Sequence, residues 1–390
     1  MKFPISDNIR KVHFPPISEV KRWLAERRSD DLPLIDLCQA IPDYPPAPEL
    51  VDHLRGLLDD PLLSRYAPDE GLLEVREALC TAYERKYGAH INPSQLCLTI
   101  GASQAFWLAM VTLCRAGDEV IVQLPCYFDH PMALDALGIK PVYAPFHEEH
   151  GGYPDPDIIE QLITPRTKGI LLVTPSNPSG VVTTPELIHR LNEMAERHNI
   201  ALVLDETYSD FIPGGPRPHE LFTLPGWGEH FIHLMSFGKT FALTGYRAGL
   251  LAASERFIHH ALKVQDTMAV CQPRITQHAV KFGVENLDGW VAANREMMTR
   301  RHDLFKCGFI QAGNPFTLVT SGPFFAWVRH PFSGRSGREV AKALVHEAGI
   351  LTLPGEVFGP GLSGYLRLAF GNIREDTIPE AIERFRGFQV

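Results

Sequence analysis

A chain of 390 residues with 45% hydrophobic and 21% charged side chains has the make-up of a globular protein and the length for two domains, which excludes a disordered chain. Its net charge is −9 with no long basic run, so nucleic acid is not an expected partner, because neutralising phosphates takes clustered Lys and Arg. No stretch reaches the roughly 18 apolar residues that a membrane span needs, and the start, MKFPISDNIRKVHFPPISEV, has no apolar signal core.

Seven cysteines without a CxxC pair read as reduced thiols, and a cytoplasmic location is expected. The 17 histidines show no HExxH spacing, so no metal site is expected.

Along the chain, IPDYPPAP (41–48) reads as a rigid Pro-rich connection. From about residue 95 short apolar runs recur: LCLTI (96–100), EVIVQL (119–124), PVYA (141–144), GILLV (169–173), ALVLD (201–205), FIHLMS (231–236) and GLLAA (249–253). Helical stretches separate most of them. The clearest is TPELIHRLNEMAERHN, with Thr184 as cap, Pro185 at the first helical position, and Leu187, Ile188, Leu191, Met194 and Ala195 on one face. Strands alternating with helices predict an α/β fold. A large domain holds a mostly parallel seven-stranded sheet covered by helices on both faces.

The tail changes texture. LDGWVAANREMMTRRHDLFKCGF reads as a long helix, FFAWV (324–328) and YLRLAF (365–370) as strands, and EDTIPEAIERF as a last helix. This predicts a smaller α+β domain, completed by the first forty or so residues. The expected division is 1–45 joining the small domain, 46–284 as the large cofactor-binding domain, and 285–390 as the small C-terminal domain.

In such sheets ligands bind beyond the carboxyl ends of the strands, so the residues there carry the functional reading. After LCLTI comes GASQAF, where Gly101 allows a sharp turn and Ser103 can cap a helix whose free N–H groups suit a phosphate. After GILLV, TPSNPSG brackets Asn177 with two prolines and a glycine; an ordinary turn reads the same way. After ALVL, Asp205 ends a buried strand and needs a cationic partner, unless it caps the next turn, and Tyr208 follows. After FIHLM come Ser236 and Lys239, with Arg247 eight residues on in GYRAG. Lys239 either snorkels to solvent or is a desolvated amine with a lowered pKa. A phosphate nest, a carboxylate, a phenol, an amide, a lysine and an arginine together suit pyridoxal phosphate. That cofactor joins a lysine as a Schiff base, pairs its ring nitrogen with an acid and needs an anion site.

SFGKTFALTGYRAG, TPSNPSG and DETY, in sequence order, resemble the motifs of the class I/II aminotransferases, the fold-type I enzymes that use pyridoxal 5'-phosphate. The resemblance spans nearly the whole chain. It implies that Lys239 forms the aldimine and shuttles the substrate α-proton, that Asp205 pairs with the ring nitrogen, and that Asn177 and Tyr208 hydrogen-bond the ring oxygen. It places Gly101, Ala102, Ser103, Gln104, Ser236 and Arg247 around the phosphate and Tyr127 against the ring. Arg367 would bind the substrate carboxylate, near Asn177, Ala40 and Ile41. Tyr66 resembles the tyrosine that reaches the cofactor phosphate of the partner subunit, which implies a homodimer.

Two positions depart from the family pattern. Ala40 stands where glycine is usual, and Gly238 where a second serine often precedes the lysine. The expected reaction moves the α-amino group of an L-amino acid to a 2-oxo acid. A carbon–sulfur β-lyase on the same fold is the alternative. The start directly in the fold argues against a ligand-sensing regulator carrying a DNA-binding half. Phe14, Tyr44, Phe106, Trp107 and Phe128 lie in segments that could line the pocket, which leans toward aromatic or other apolar substrates.

Overall fold

A computed structural model describes residues 3–27, 32–311 and 313–389. The N-terminal segment holds α1 (Asp7–Lys11), α2 (Pro16–Leu24) and the short strand β1 (Ile35–Asp36). Two helices, α3 (Pro48–Leu57) and α4 (Leu73–Tyr87), lead into the first sheet strand. That strand is β2 (Leu96–Ile100), followed by α5 (Gly101–Leu113), β3 (Glu119–Gln123), α6 (Asp129–Leu137), β4 (Lys140–Ala144) and α7 (Pro156–Gln161). Next come β5 (Thr167–Val173), α8 (Pro185–Arg197), β6 (Ala201–Asp205), β7 (Phe231–Ser236), α9 (Phe237–Thr240) and β8 (Ala248–Ala252).

These seven strands form one sheet in the order β2-β8-β7-β6-β5-β3-β4. Only β8 runs antiparallel to its neighbours; the other pairings are parallel. All seven predicted runs are therefore strands of one sheet. The strands are apolar throughout because both faces are covered. Alternation decides which core each side chain joins: Val203 enters one cluster, Leu202 and Leu204 the other.

Helix α8 follows the sequence reading. Thr184 Oγ1 accepts the Leu187 N–H, Pro185 opens the helix, and Ile188, Leu191, Met194 and Ala195 are buried.

Beyond the sheet lie α10 (Glu255–Ala269), α11 (Arg274–Asn286) and the 22-residue α12 (Asp288–Phe309). A second, antiparallel sheet orders β12 (Leu353–Pro354), β13 (Tyr365–Leu368), β10 (Phe325–Arg329) and β9 (Thr317–Gly322). Here α13 (Gly337–Ala343) and α14 (Ile378–Gly387) complete the covering. The N-terminal segment joins this part directly, since β1 pairs in parallel with β11 (Ile350–Leu351). One of the two apolar clusters runs from the large sheet into the small one, through residues such as Val203, Phe324 and Trp327.

Among the described residues no helix is long and apolar enough to cross a membrane, and no group of His, Cys, Asp or Glu could hold a metal.

Candidate active site

A cavity of about 910 Å³ opens at the carboxyl ends of β2, β5, β6 and β7. It gathers Ala102, Ser103, Tyr127, Asn177, Asp205 and Tyr208, then Ser236, Lys239, Arg247 and Arg367, with Ala40 and Ile41 from the N-terminal segment. Gly101 and Gln104 lie just behind the wall, and Tyr66 is 78% exposed away from it.

Two readings need correction. Ser103 is not the cap of α5. The helix begins two residues earlier at Gly101, and the Ile100 N–H is answered by Gln104 Oε1 at 2.6 Å. Tyr44 does not line the cavity; its ring meets Trp290 edge-on at 5.6 Å. Phe14, Phe106, Trp107 and Phe128 do line it.

The anion end is built by close approach. Gly101 has φ +75, and a Cβ there would lie 2.4 Å from an Arg247 guanidinium nitrogen. A Cβ on Gly249 would sit 2.3 Å from the Gly101 carbonyl carbon and 2.6 Å from Ala102 N. Glycine at both places lets β8 and Arg247 press against the start of α5, where free N–H groups favour an anion. Arg247 itself is held in the left-handed region at φ 57. For a non-glycine residue that conformation costs on the order of 1 kcal/mol.

Asp205 ends β6 and is buried. Its Oδ2 lies 3.5 Å from His130 Nε2, and its Oδ1 accepts the Thr207 N–H at 3.0 Å and hydroxyl at 2.7 Å. Burial pushes the carboxyl up, but the His130 and Thr207 contacts outweigh it and the net direction is down. Of the two expected alternatives the turn-capping role is present, through Thr207, while the group facing Oδ2 is the His130 imidazole.

Lys239 sits in the single-turn helix α9. Its Nζ donates to the Ala40 carbonyl. Burial, then the charges of Arg367 and Arg247, lower its pKa from 10.5 to about 8. Lys239 is thus the desolvated amine, not the snorkelling one.

Arg367 lies on β13, opposite in direction to Leu366 and Leu368, as alternation predicts. It is only 2% exposed. One guanidinium nitrogen donates to Asn177 Oδ1 at 2.9 Å and the other to the Cys38 carbonyl. The Phe325 and Phe358 rings flank it at 5.1 and 5.2 Å. Its Nε is buried without a partner, and among the described residues no carboxylate within 4 Å pairs with it.

Sequence reasoning missed several residues here. His130 is three residues after Tyr127 and so shares its side of the α6 start; that spacing was the available signal. Asp129 accepts the Tyr127 hydroxyl at 2.6 Å. Ile9, Val12, His13 and Ile17 bring the N-terminal segment to the cavity wall, and nothing local in their sequence announces it.

Behind Asp205, on the other side of β6, Glu206 is fully buried. It accepts the Tyr87 hydroxyl at 2.6 Å and faces His233 Nε2 at 2.9 Å and His219 Nε2 at 3.3 Å. Because an ionised carboxylate only accepts, the Glu206 contact places a proton on His233 Nε2, and the Tyr83 hydroxyl lies 2.8 Å from Nδ1.

Residues 33–385 match the family described as aminotransferase class I and II. An aromatic aminotransferase of Arabidopsis thaliana is 29% identical over 378 residues, covering 95% of this chain and 93% of its own. Aromatic-amino-acid aminotransferase 2 of Thermococcus litoralis is 29% identical over 364 residues, covering 90% and 93%. The aspartate aminotransferase of Thermus thermophilus, solved with maleate, superposes with a TM-score of 0.90 at 27% identity over 99% of each chain. With the profile matched almost end to end and the fold shared over the same span, this chain belongs to the class I and II aminotransferase family, fold-type I enzymes that typically use pyridoxal phosphate.

Proposed function

We propose that this aminotransferase holds pyridoxal 5'-phosphate in the cavity and moves the α-amino group of an aromatic or other apolar L-amino acid to a 2-oxo acid. The observation that carries the reading is Lys239, an amine whose pKa burial and two arginines lower to about 8, in one cavity with the buried carboxylate of Asp205.

The residues present fit the cofactor. Arg247 and Arg367 are cationic, Asp205 is ionised, and Arg367 Nε lacks a partner. That set calls for two anions and one ring cation. The Ala102 N–H, Ser103, Ser236 and Arg247 would hold the phosphate, with Gly101 and Gln104 shaping the helix start. Tyr127 would lie against the ring, and Asn177 and Tyr208 would face the ring oxygen. When bound, pyridoxal phosphate supplies an aldehyde that captures an amino group and a ring that takes up the electron pair left at the α-carbon.

This chain's own groups do the rest. Asp205 stays ionised and holds the proton on the ring nitrogen. Lys239 Nζ would take the α-proton and pass it to the carbon that was the cofactor's aldehyde. A fall from 10.5 to about 8 raises its neutral fraction near pH 7 roughly 300-fold over an ordinary lysine. Proton transfer by one positioned base contributes about 10²–10⁴-fold. Arg367 and Asn177 orient the substrate carboxylate beside Ala40 and Ile41.

The side-chain end of the cavity is apolar, with Phe14, Ile17, Trp107, Phe128 and Met132. Lys239, Arg247 and Arg367 are committed elsewhere, and no other lysine or arginine among the described residues lines it. This supports an apolar amino donor over a dicarboxylic one. We take the enzyme as a cytoplasmic homodimer with Tyr66 reaching the cofactor phosphate of the partner subunit. Light scattering should then give twice the 43.6 kDa chain mass.

Adding pyridoxal phosphate should produce a visible absorbance band that Lys239→Ala lacks, with borohydride fixing the adduct on Lys239. A colourless protein sinks the proposal. Across a panel of donors with an oxo acid acceptor, phenylalanine, tyrosine or leucine should exceed aspartate in kcat/KM at least tenfold. Aspartate as the best donor overturns the substrate assignment. Sustained pyruvate release from a β-substituted amino acid without acceptor would mark the lyase instead.

A further inference from the structure

A second cavity, of about 440 Å³, lies on the other side of the Lys239 helix and shares no lining residue with the first. Four pieces of chain build it: the end of α4, the segment 209–217 after the Tyr208 turn, α9, and the junction of α11 with α12. Its body is apolar and aromatic, with Tyr83, Tyr87, Phe237, Phe241, Val284 and Val291.

Its charge is unbalanced. Arg85, Lys86, Arg217 and Arg295 line it against only Asp210 and Asp288. Asp210 is already engaged, by Lys86 at 2.6 Å and by the Thr240 hydroxyl at 2.6 Å. Asp288 is largely exposed and 3.7 Å from Arg85. Arg295 donates through Nε to the Asp210 carbonyl at 2.8 Å and has no carboxylate within 4 Å among the described residues. Arg217 has Glu220 at 3.6 Å on the surface.

Both arginines rest on glycine. A Cβ on Gly215 would lie 2.1 Å from an Arg295 guanidinium nitrogen, and a Cβ on Gly88 2.5 Å from one of Arg217. The backbone is thus shaped to let two guanidinium groups lie close over it at the rim of an apolar hollow. Guanidinium groups favour planar anions.

We propose that this cavity is a binding site for an amphipathic carboxylate, with the anion between Arg217 and Arg295 and an aromatic or branched apolar body against Phe241, Val284 and Tyr83. Such a ligand would touch Phe237 and Thr240, which bracket Lys239, and Ser209 and Asp210, which follow Tyr208. The assignment does not depend on which amino acid is the substrate.

The probe is 3-phenylpropionate, which has neither an amino nor an oxo group to react. Calorimetric titration of the loaded enzyme should give two molecules per chain. Arg367→Ala should remove one of them. The double variant R217E/R295E should weaken the other at least tenfold and leave the first, and R217K/R295K, which keeps the charge without the planar fork, should weaken it less. One molecule per chain in the wild type that R217E/R295E leaves unchanged, or two in R217E/R295E with unchanged affinities, overturns the proposal. So does a drop in oligomeric mass in R217E/R295E with unchanged stoichiometry, which would make this face a subunit contact.

Discussion

Lys239 owes its lowered pKa to burial first and to Arg367 and Arg247 next. Its neutral form therefore grows as pH rises through about 8, not 10.5. Labelling of the apo-protein by an amine-directed reagent, read at Lys239 by mass spectrometry, should reach half its maximum rate near pH 8. In Arg367→Ala one like charge is gone, so the midpoint should move to higher pH; a midpoint that stays put would show that Arg367 does not act on this amine. Gly101 invites a second test. Gly101→Ala adds strain at φ +75 and drives a methyl group into Arg247. Affinity for pyridoxal phosphate should fall at least tenfold by fluorescence titration. At this scale the sequence was legible wherever chemistry follows a strand, as with Asp205 and Lys239. Arg367 was legible only through the family resemblance, because its enclosure by Asn177, Cys38, Phe325 and Phe358 comes from segments far apart in the chain.

Asp205 ends strand β6 and Glu206 follows it directly, so two successive carboxylates turn to opposite sides. Asp205 faces the cavity with His130; Glu206 faces a shell of Tyr87, His219 and His233. Burial pushes the Glu206 carboxyl up, but the two histidines more than offset that and hold it well below 4.5. A depressed carboxyl stabilises the fold fully above its unfolded value, and that stability is lost as pH falls below about 4.5. Glu206→Gln should flatten this acid loss in urea melts, and should lower stability at pH 7 by about 2 kcal/mol through the lost hydrogen bonds to a charged acceptor. An unchanged acid limb would show that Glu206 does not contribute it. Since side chains alternate with a period of two, slipping β6 by one residue would exchange the two carboxylates. Glu206 in its shell therefore fixes which acid the cavity receives. The strand was readable from its apolar run, but this shell was not, because its members come from α4, β7 and the loop between β6 and β7.

Across the whole molecule, the N-terminal segment ties the two sheets to one site. Asp43 grips the buried Arg301 of α12 through two bonds, 2.6 and 3.0 Å. The Ile41 N–H donates to Asn372 Oδ1 at 2.9 Å. Asp43→Ala leaves a buried guanidinium unpaired and should cost about 3 kcal/mol. It should also raise KM for the amino donor more than it lowers kcat, since Ala40 and Ile41 border the substrate. An unaltered KM would detach this clasp from the site. The seven-stranded sheet was plain in the sequence because each strand is a continuous apolar run. The path of residues 3–17 along the cavity was not, since short irregular segments owe their position to distant partners. The same segment spends the Cys38 carbonyl on Arg367 and the Ala40 carbonyl on Lys239. Two tethered acceptors thus rival any arriving carboxylate or aldehyde at an effective concentration set by the fold. Every affinity measured at this centre is net of that internal competition.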